Sequence, residues 1–210
     1  MADAGAVDNP FFARMWIAMS SRERPFMKRL RQENLAGLSG RVLEIGAGTG
    51  TNFEFYPDTV TEVVAVEPEQ RLAVLAREAA ATAPVPVTVR TETAEHFDSD
   101  EMFDAVVCSL VLCSVGDPKD VLQQVYSHLR PGGELRYFEH VASTGLRGRV
   151  QGFFDATFWP RVSGNCHAHR HTEDAITGVG FAVTEARRLL MLPGWVPLAE
   201  AVIGRAIKPA

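Results

Sequence analysis

The sequence predicts a doubly wound α/β fold: a mostly parallel, seven-stranded sheet with helices on both faces. Three observations predict it. From residue 41 onward, short and nearly continuous apolar runs alternate with stretches of helical periodicity. Runs that are apolar on both sides belong to parallel strands covered on both faces. The first run leads into a glycine turn, RVLEIGAGTG over 41–50, and the second ends in an acid, Glu67.

The elements follow in order. Phe11, Phe12, Trp16 and Met19 mark an N-terminal helix, and RERPFMKRLR over 22–31 a second helical stretch whose charges read as a solvated face. Val42, Leu43 and Ile45 form the first strand. TEVVAV over 61–66 is the second, and residues 69–81 an alanine-rich helix with Leu72 and Leu75 inward. Residues 85–89 are a third strand and FDAVVC over 103–108 a fourth. Val121, Leu122, Val125 and Leu129 recur at helical spacing until Arg130-Pro131-Gly132-Gly133 ends that helix. Residues 134–139 are a fifth strand, Gly180-Phe181 opens a sixth running to about Leu190, and 201–207 are a seventh. No repeat or low-complexity linker interrupts the pattern, so a single domain over 1–210 is expected. It divides into a helical cap at 1–36, a cofactor-binding half at 37–141, and a substrate-side segment with the last strands at 142–210.

Composition narrows the function. A chain of 210 residues buries a full core but does not fill two ordinary α/β domains. A net charge of −5, with no lysine–arginine stripe in the second half, argues against a nucleic-acid partner. Cys108, Cys113 and Cys166 are odd in number and contain no C-x-x-C pair, so neither a disulfide framework nor a zinc site is suggested. No charged segment followed by an apolar stretch opens the chain, and no run approaches the roughly 18 residues of a membrane span. A cytoplasmic location is expected, with reversible contact of the apolar N-terminal segment with a membrane surface left open.

The glycine turn carries most of the chemistry. Backbone without Cβ atoms at a helix start lets a ligand lie against N–H groups, and both dinucleotides and S-adenosylmethionine use such a turn. The dinucleotide fingerprint spaces its glycines G-x-G-x-x-G. Here Gly46, Gly48 and Gly50 read G-A-G-T-G, with the third glycine one residue early. Glu44, two positions before the turn, suits a cofactor bearing an ammonium group. Glu67, followed by Pro68, can accept hydrogen bonds from both ribose hydroxyls, which suits either cofactor. Ligands of such sheets bind beyond the carboxyl ends of the strands, near the point where strand order reverses. That rule adds Thr93-Ala94-Glu95, Ser109 to Cys113, and Glu139-His140 to the crevice.

On these motifs the chain resembles class I S-adenosylmethionine-dependent methyltransferases from about residue 25 onward: the glycine turn, Glu67, AEHF at 94–97, FDAVVCSLVLCSV at 103–115 and LRPGGEL at 129–135 fall in that family's order. Within it, the likeness is to the group of the mammalian microsomal thiol S-methyltransferases and their bacterial relatives. GTGTNFEFYP at 48–57, VVCSLVLCSV at 106–115, FEHV at 138–141, and Trp159 with six residues between it and Cys166, together with Arg170 and Thr172, carry it. The mammalian members have an N-terminal apolar anchor that is not seen here, and Pro160 and Asn165 depart from the group's pattern, glycine being expected at Asn165.

The resemblance implies a Rossmann-like sheet, S-adenosylmethionine as methyl donor, and roles by position. Glu44 and the turn Gly46-Ala47-Gly48, with Gly50, would hold the methionine part. Glu67 and Pro68 would face the ribose, Ala94 and Glu95 the adenine, and Ser109 and Leu110 the amino-acid moiety. Asn52 and Phe53 would line the site, unless they only cap and pack a helix start.

Methyl transfer is an in-line displacement in which the protein mainly aligns donor and acceptor. His140 is the first candidate for a general base because it ends the fifth strand beside the crevice, and Asp155 is the second. The His167, His169 and His171 string reads as a loop before a helix cap, so no metal is expected; nor is Cys166 needed as a nucleophile. Phe11, Phe12, Trp16, Met19 and the segment 153–159 should cap an apolar acceptor site. The partner is then a small lipophilic methyl acceptor bearing a thiol, phenol or amine, with a quinone precursor or lipid headgroup as an alternative and non-catalytic cofactor binding as another. The oligomeric state is left open.

Overall fold

The computed structural model describes residues 8–193, 196 and 200–210, so the first seven residues of the expected cap lie outside it. The strands are β1 (Gly40–Ile45), β2 (Val60–Val66), β3 (Val87–Arg90), β4 (Phe103–Ser109), β5 (Leu129–His140), β6 (Ala182–Leu190) and β7 (Glu200–Ile207). They form a seven-stranded sheet in the order β3-β2-β1-β4-β5-β7-β6. The five strands from β3 to β5 run parallel, and β7 lies antiparallel to both β5 and β6. Strand order reverses between β1 and β4, so a crevice opens beyond their carboxyl ends.

Alternation along the central strands builds two cores. Leu43 and Ile45 of β1, with Val106 and Cys108 of β4, pack on one face against Val121, Leu122 and Val125 of α4 (Pro118–His128) and Ile176 of α7 (Thr172–Val179). Val42 of β1, with Ala105 and Val107 of β4, packs on the other against Leu35 of α2 (Pro25–Leu35) and Ala76 of α3 (Gln70–Ala80). Each fully buried valine or leucine contributes about 1.5–3 kcal/mol. The outer helices are α1 (Pro10–Ser20), α5 (Gly145–Asp155) and the single turn α6 (Trp159–Val162). Among the described residues, no helix is long and apolar enough to cross a membrane.

Three features differ from expectation. β5 begins at Leu129 instead of 134: Gly132 donates its N–H to the Lys208 carbonyl and Lys208 donates to Gly133, so pairing with the chain end extends the strand across the proline–glycine segment. β3 starts at Val87, because Pro86 has no N–H to give; its carbonyl accepts from Val63 at 2.8 Å. The basic stretch 22–31 is not all solvated face, since Arg31 is buried. That arginine donates to Asn52 Oδ1 at 3.0 Å and to Glu23 at 2.9 Å, tying α2 to the segment after the glycine turn.

Candidate active site

The turn after β1 is fastened to β2 before any ligand arrives. The N–H groups of Gly46 and Ala47 both donate to the Val66 carbonyl, at 2.8 and 3.1 Å. Gly48 takes φ +58°, a left-handed conformation that suits glycine, and donates its N–H to Glu67 Oε2 at 2.7 Å. The other oxygen of Glu67 accepts from the Glu69 N–H at 3.0 Å. Burial pushes the Glu67 carboxyl up to about 7, against the opposing pull of those two N–H donors.

Helix α1 closes over this turn. Asn9 caps it by accepting from the Phe12 N–H at 3.0 Å, Pro10 opens it, and the spacing of four puts Phe12 and Trp16 on one face with ring centroids 6.1 Å apart. Trp16 lies on Gly48, where a Cβ would stand 2.7 Å from its Nε1. Phe12 lies on Gly164, where a side chain would collide with the ring. Phe11 and Met19 point outward, which corrects their expected part in the cap.

Behind the turn, Glu44 sits in a closed polar network. Its two oxygens accept from Asn52 Nδ2 at 2.8 Å and from the Tyr56 hydroxyl at 2.7 Å, and Asn52 also donates to Ser109 Oγ at 3.2 Å. Burial pushes the Glu44 carboxyl up to about 7 while the Tyr56 and Asn52 hydrogen bonds oppose it.

The loop after β4 is shaped by a third buried carboxylate, Glu139. Leu110 adopts φ +59°, a conformation costing a non-glycine residue about 1–2 kcal/mol. Glu139 offsets that cost by accepting the N–H groups of Val111, Leu112 and Cys113 at 3.0, 2.9 and 3.2 Å. From the opposite side, the Arg170 guanidinium donates to the carbonyls of Leu112, Val115 and Gly116 at 2.8, 2.7 and 3.3 Å. Asn165, where glycine was expected, has φ +64° and donates Nδ2 to the Ser114 carbonyl at 2.8 Å. Asparagine tolerates this region better than most residues, so the departure keeps the backbone shape.

These pieces enclose a cavity of about 480 Å³ at the strand-order reversal. Of the expected cofactor residues, Gly46, Gly48, Glu67, Pro68, Ala94, Glu95, Ser109 and Leu110 line it. Glu44, Ala47, Gly50, Asn52 and Phe53 are not on its wall; Asn52 is a hydrogen-bonded member of the network and Phe53 a core residue. The outer wall is made by Pro160, Arg161, Gly164 and Asn165, while Phe153 and Phe158 of the expected 153–159 cap face outward. The wall's chemistry fits an adenosyl ligand: bare glycine backbone at Gly46 and Gly48 stands beside the carboxyl groups of Glu67 and Glu95.

Neither expected base is on the wall. Both oxygens of Asp155 are taken by the N–H groups of Ala168 and His169, at 2.8 and 3.0 Å, so it holds the loop before α7. His140 points its Nδ1 at two thiols, 3.6 Å from Cys113 Sγ and 3.7 Å from Cys166 Sγ. This placement argues against a base role for either. Sequence reasoning placed Val111 in the crevice but missed the grouping of Cys113 with Cys166, and also Glu69, Ser114 and Val115 on the wall. Only the apolar and polar residues of VLCSV, already noted as a shared string, could have pointed to the last two.

A sheet of this order, with a glycine turn after β1 and an acid after β2 facing one cavity, defines a class I S-adenosylmethionine-dependent methyltransferase. Residues 43–137 match the family described as "Methyltransferase domain". The chain is similar to thiol S-methyltransferase TMT1B of Mus musculus, 34% identical over 204 residues that cover 93% of this chain and 82% of the relative. It is similar over a shorter stretch to a demethylmenaquinone methyltransferase of Renibacterium salmoninarum, 34% identical over 109 residues covering 51% of this chain and 45% of that one. In fold it matches N-methyltransferase NodS of Bradyrhizobium japonicum WM9, solved with S-adenosyl-l-homocysteine, with TM-score 0.71 at 16% identity, covering 96% of this chain and 100% of that one. The chain belongs to the S-adenosylmethionine-dependent methyltransferase family, in the branch that holds the thiol S-methyltransferases.

Proposed function

We propose that this enzyme methylates the sulfur of small lipophilic thiols. One observation carries the reading: among the described residues of the cavity wall, the titratable side chains are Glu67, Glu69, Glu95 and Arg161, and none is a histidine, cysteine, lysine or tyrosine. The three acids follow β2 and β3, the side given to ribose and adenine. Toward α1 and the loop after β4 the wall is Phe12, Trp16, Val111, Val115 and Pro160, which suits an apolar acceptor. An acceptor in that part meets no general base. A thiol of pKa about 8.5 supplies its own thiolate near neutrality, whereas a phenol or ammonium needs a proton taken from it. Arg161 is a cation at the rim and favours the anion. Full-length similarity to a thiol S-methyltransferase supports the same reading.

When bound, S-adenosylmethionine supplies an electrophilic methyl group. In this proposal Gly46 and Gly48, with Ser109 and Leu110, take its amino-acid end, Glu67 beside Pro68 accepts the ribose hydroxyls, and Ala94-Glu95 meets adenine. Glu44, Ala47, Gly50, Asn52 and Phe53 hold the turn in shape. Phe12 and Trp16 then exclude water and hold the acceptor in line, positioning that can be worth about 7–11 kcal/mol. The shorter similarity to a demethylmenaquinone methyltransferase supports an alternative, methylation of a quinone precursor.

Equimolar alkyl thiol, phenol, amine and quinol acceptors, assayed by methyl incorporation across pH 6.5 to about 9, decide between them. Thioether product is expected, with kcat/KM rising as the thiol ionises. Methylated quinol with no thioether would overturn the assignment.

A further inference from the structure

We propose that Cys113, His140 and Cys166 bind one soft divalent metal ion, zinc being the ion whose geometry they match. The inference is independent of the acceptor. The three donor atoms form a nearly equilateral triangle: Cys113 Sγ to His140 Nδ1 3.6 Å, Cys166 Sγ to His140 Nδ1 3.7 Å, and Sγ to Sγ 3.6 Å. Tetrahedral zinc, with Zn–S of about 2.3 Å and Zn–N of about 2.0–2.1 Å, spaces its ligand atoms about 3.6–3.8 Å apart. An ion above this triangle meets all three donors with little rearrangement.

The three donors arrive from distant parts of the chain, each on fixed backbone. Cys113 donates its N–H to Glu139 at 3.2 Å. His140 ends β5 in register with Ala201 of β7. Cys166 is held by Ser163, whose Oγ donates to its carbonyl at 3.3 Å, and the next residue, His167, donates its N–H to the Cys113 carbonyl at 2.7 Å. Both cysteines are buried and free of disulfides, His140 is partly buried, and among the described residues the group supplies three donors. That is the pattern of three protein ligands and an open fourth position.

Donor chemistry selects the ion. Thiolate and imidazole favour zinc and its soft neighbours over magnesium or calcium. Two thiolates balance a divalent charge, and the neighbouring Glu139 carboxylate and Arg170 guanidinium balance each other. Without an ion, the three side chains meet one another only at 3.6–3.7 Å. Weak S–H donors are then all that hold the triangle together. The consequence reaches the active site, because Cys166 directly follows Gly164 and Asn165, which line the cavity. The ion would pin that wall to the loop after β4 and the end of β5. The histidine string at 167–171 is separate: His167 Nδ1 stands 3.6 Å from Asp155 Oδ2, and the rings of His169 and His171 pack on each other.

The test uses the full chain, reduced, stripped with a chelator, and titrated with cobalt(II) as the spectroscopic substitute for zinc. One equivalent should give sulfur-to-cobalt charge-transfer absorption and tetrahedral d–d bands, both abolished by zinc. C113S and C166S should remove the charge-transfer band and weaken zinc binding by more than the roughly 10–100-fold that loss of an outer partner costs. The H167A/H169A/H171A variant should leave both unchanged. A reduced, folded wild-type chain that shows no charge-transfer band overturns the site, with no need of any variant. So does binding that survives in C113S/C166S but is lost in the triple histidine variant. A Cys113–Cys166 disulfide forming readily in a chain that takes up no cobalt would overturn it in favour of a redox pair.

Discussion

On one side of the cavity, the wall comes from short local stretches: Gly46 and Gly48 after β1, Glu67 to Glu69 after β2, and Thr93 to Glu95 after β3. On the other side it is assembled from a distance. Arg170 reaches Leu112 across 58 residues, Glu139 reaches Val111 across 28, and Cys113 meets Cys166 across 53. The first side is shaped by backbone, through a glycine that no side chain can replace. The second is shaped by side chains, through a buried carboxylate, a guanidinium and a Cys–His–Cys triangle that hold loops against each other. A local site tolerates few changes at a few positions. An assembled one spreads its dependence over many.

The sharpest way to break this contrast is Gly48→Val. The new Cβ would stand 2.7 Å from Trp16 Nε1 in a residue already at φ +58°. Left-handed backbone alone costs about 1–2 kcal/mol, and a β-branched residue pays more. Cofactor affinity by titration calorimetry should therefore fall by about a hundredfold or more, with the fold retained by circular dichroism. Affinity within threefold of wild type, using about 0.6 kcal/mol as the margin, would show that the turn does not carry the cofactor.

This division explains what could be read from the sequence. Strand and helix identities were legible because apolar period and turn residues are local signals, and the glycine turn and Glu67 were legible for the same reason. Boundaries failed where a remote partner decided them, as at β5, which the chain end at Lys208 extends. His140 was legible as a residue at a strand end but not in its company, since nothing near it announces that Cys113 and Cys166 converge on its Nδ1. The outer wall failed similarly. The aromatic run at 153–159 advertised a cap, yet α6 turns the chain so that Pro160, Arg161, Gly164 and Asn165 take that place.

Glu67→Gln tests the local side more finely. The Glu67 carboxyl is raised to about 7 from an ordinary 4.5. Protonation favours the unliganded fold, so this contribution to stability is full below about 4.5 and lost as pH rises through about 7. Ribose hydroxyls donate to the ionised form, so cofactor binding should expel a proton below about pH 7. Wild-type affinity should then rise by up to about tenfold per pH unit toward 7 and level off above it. The glutamine variant should bind about tenfold more weakly at pH 8, having lost a charge-assisted acceptor. It should also lose part of the pH slope, Glu44 being raised to about 7 as well. A slope that is identical in the two proteins would assign the proton to Glu44 or elsewhere.

The smallest effects test where the acceptor wall lies, through two phenylalanines that sequence reasoning placed together. Phe12 lines the cavity over Gly164, whereas Phe153 on α5 is 67% exposed and faces away. Removing the Phe12 ring forfeits about 1.5–3 kcal/mol of apolar contact if an acceptor buries it, so Phe12→Ala should raise the acceptor KM by about tenfold or more while kcat changes less. Phe153→Ser removes a ring that already meets solvent and should change KM by less than about twofold, a surface effect within 0.5 kcal/mol. A larger effect at Phe153 than at Phe12 would move acceptor entry to α5. The assembled side of the cavity would then extend beyond Pro160 and Arg161 to the outer face of that helix.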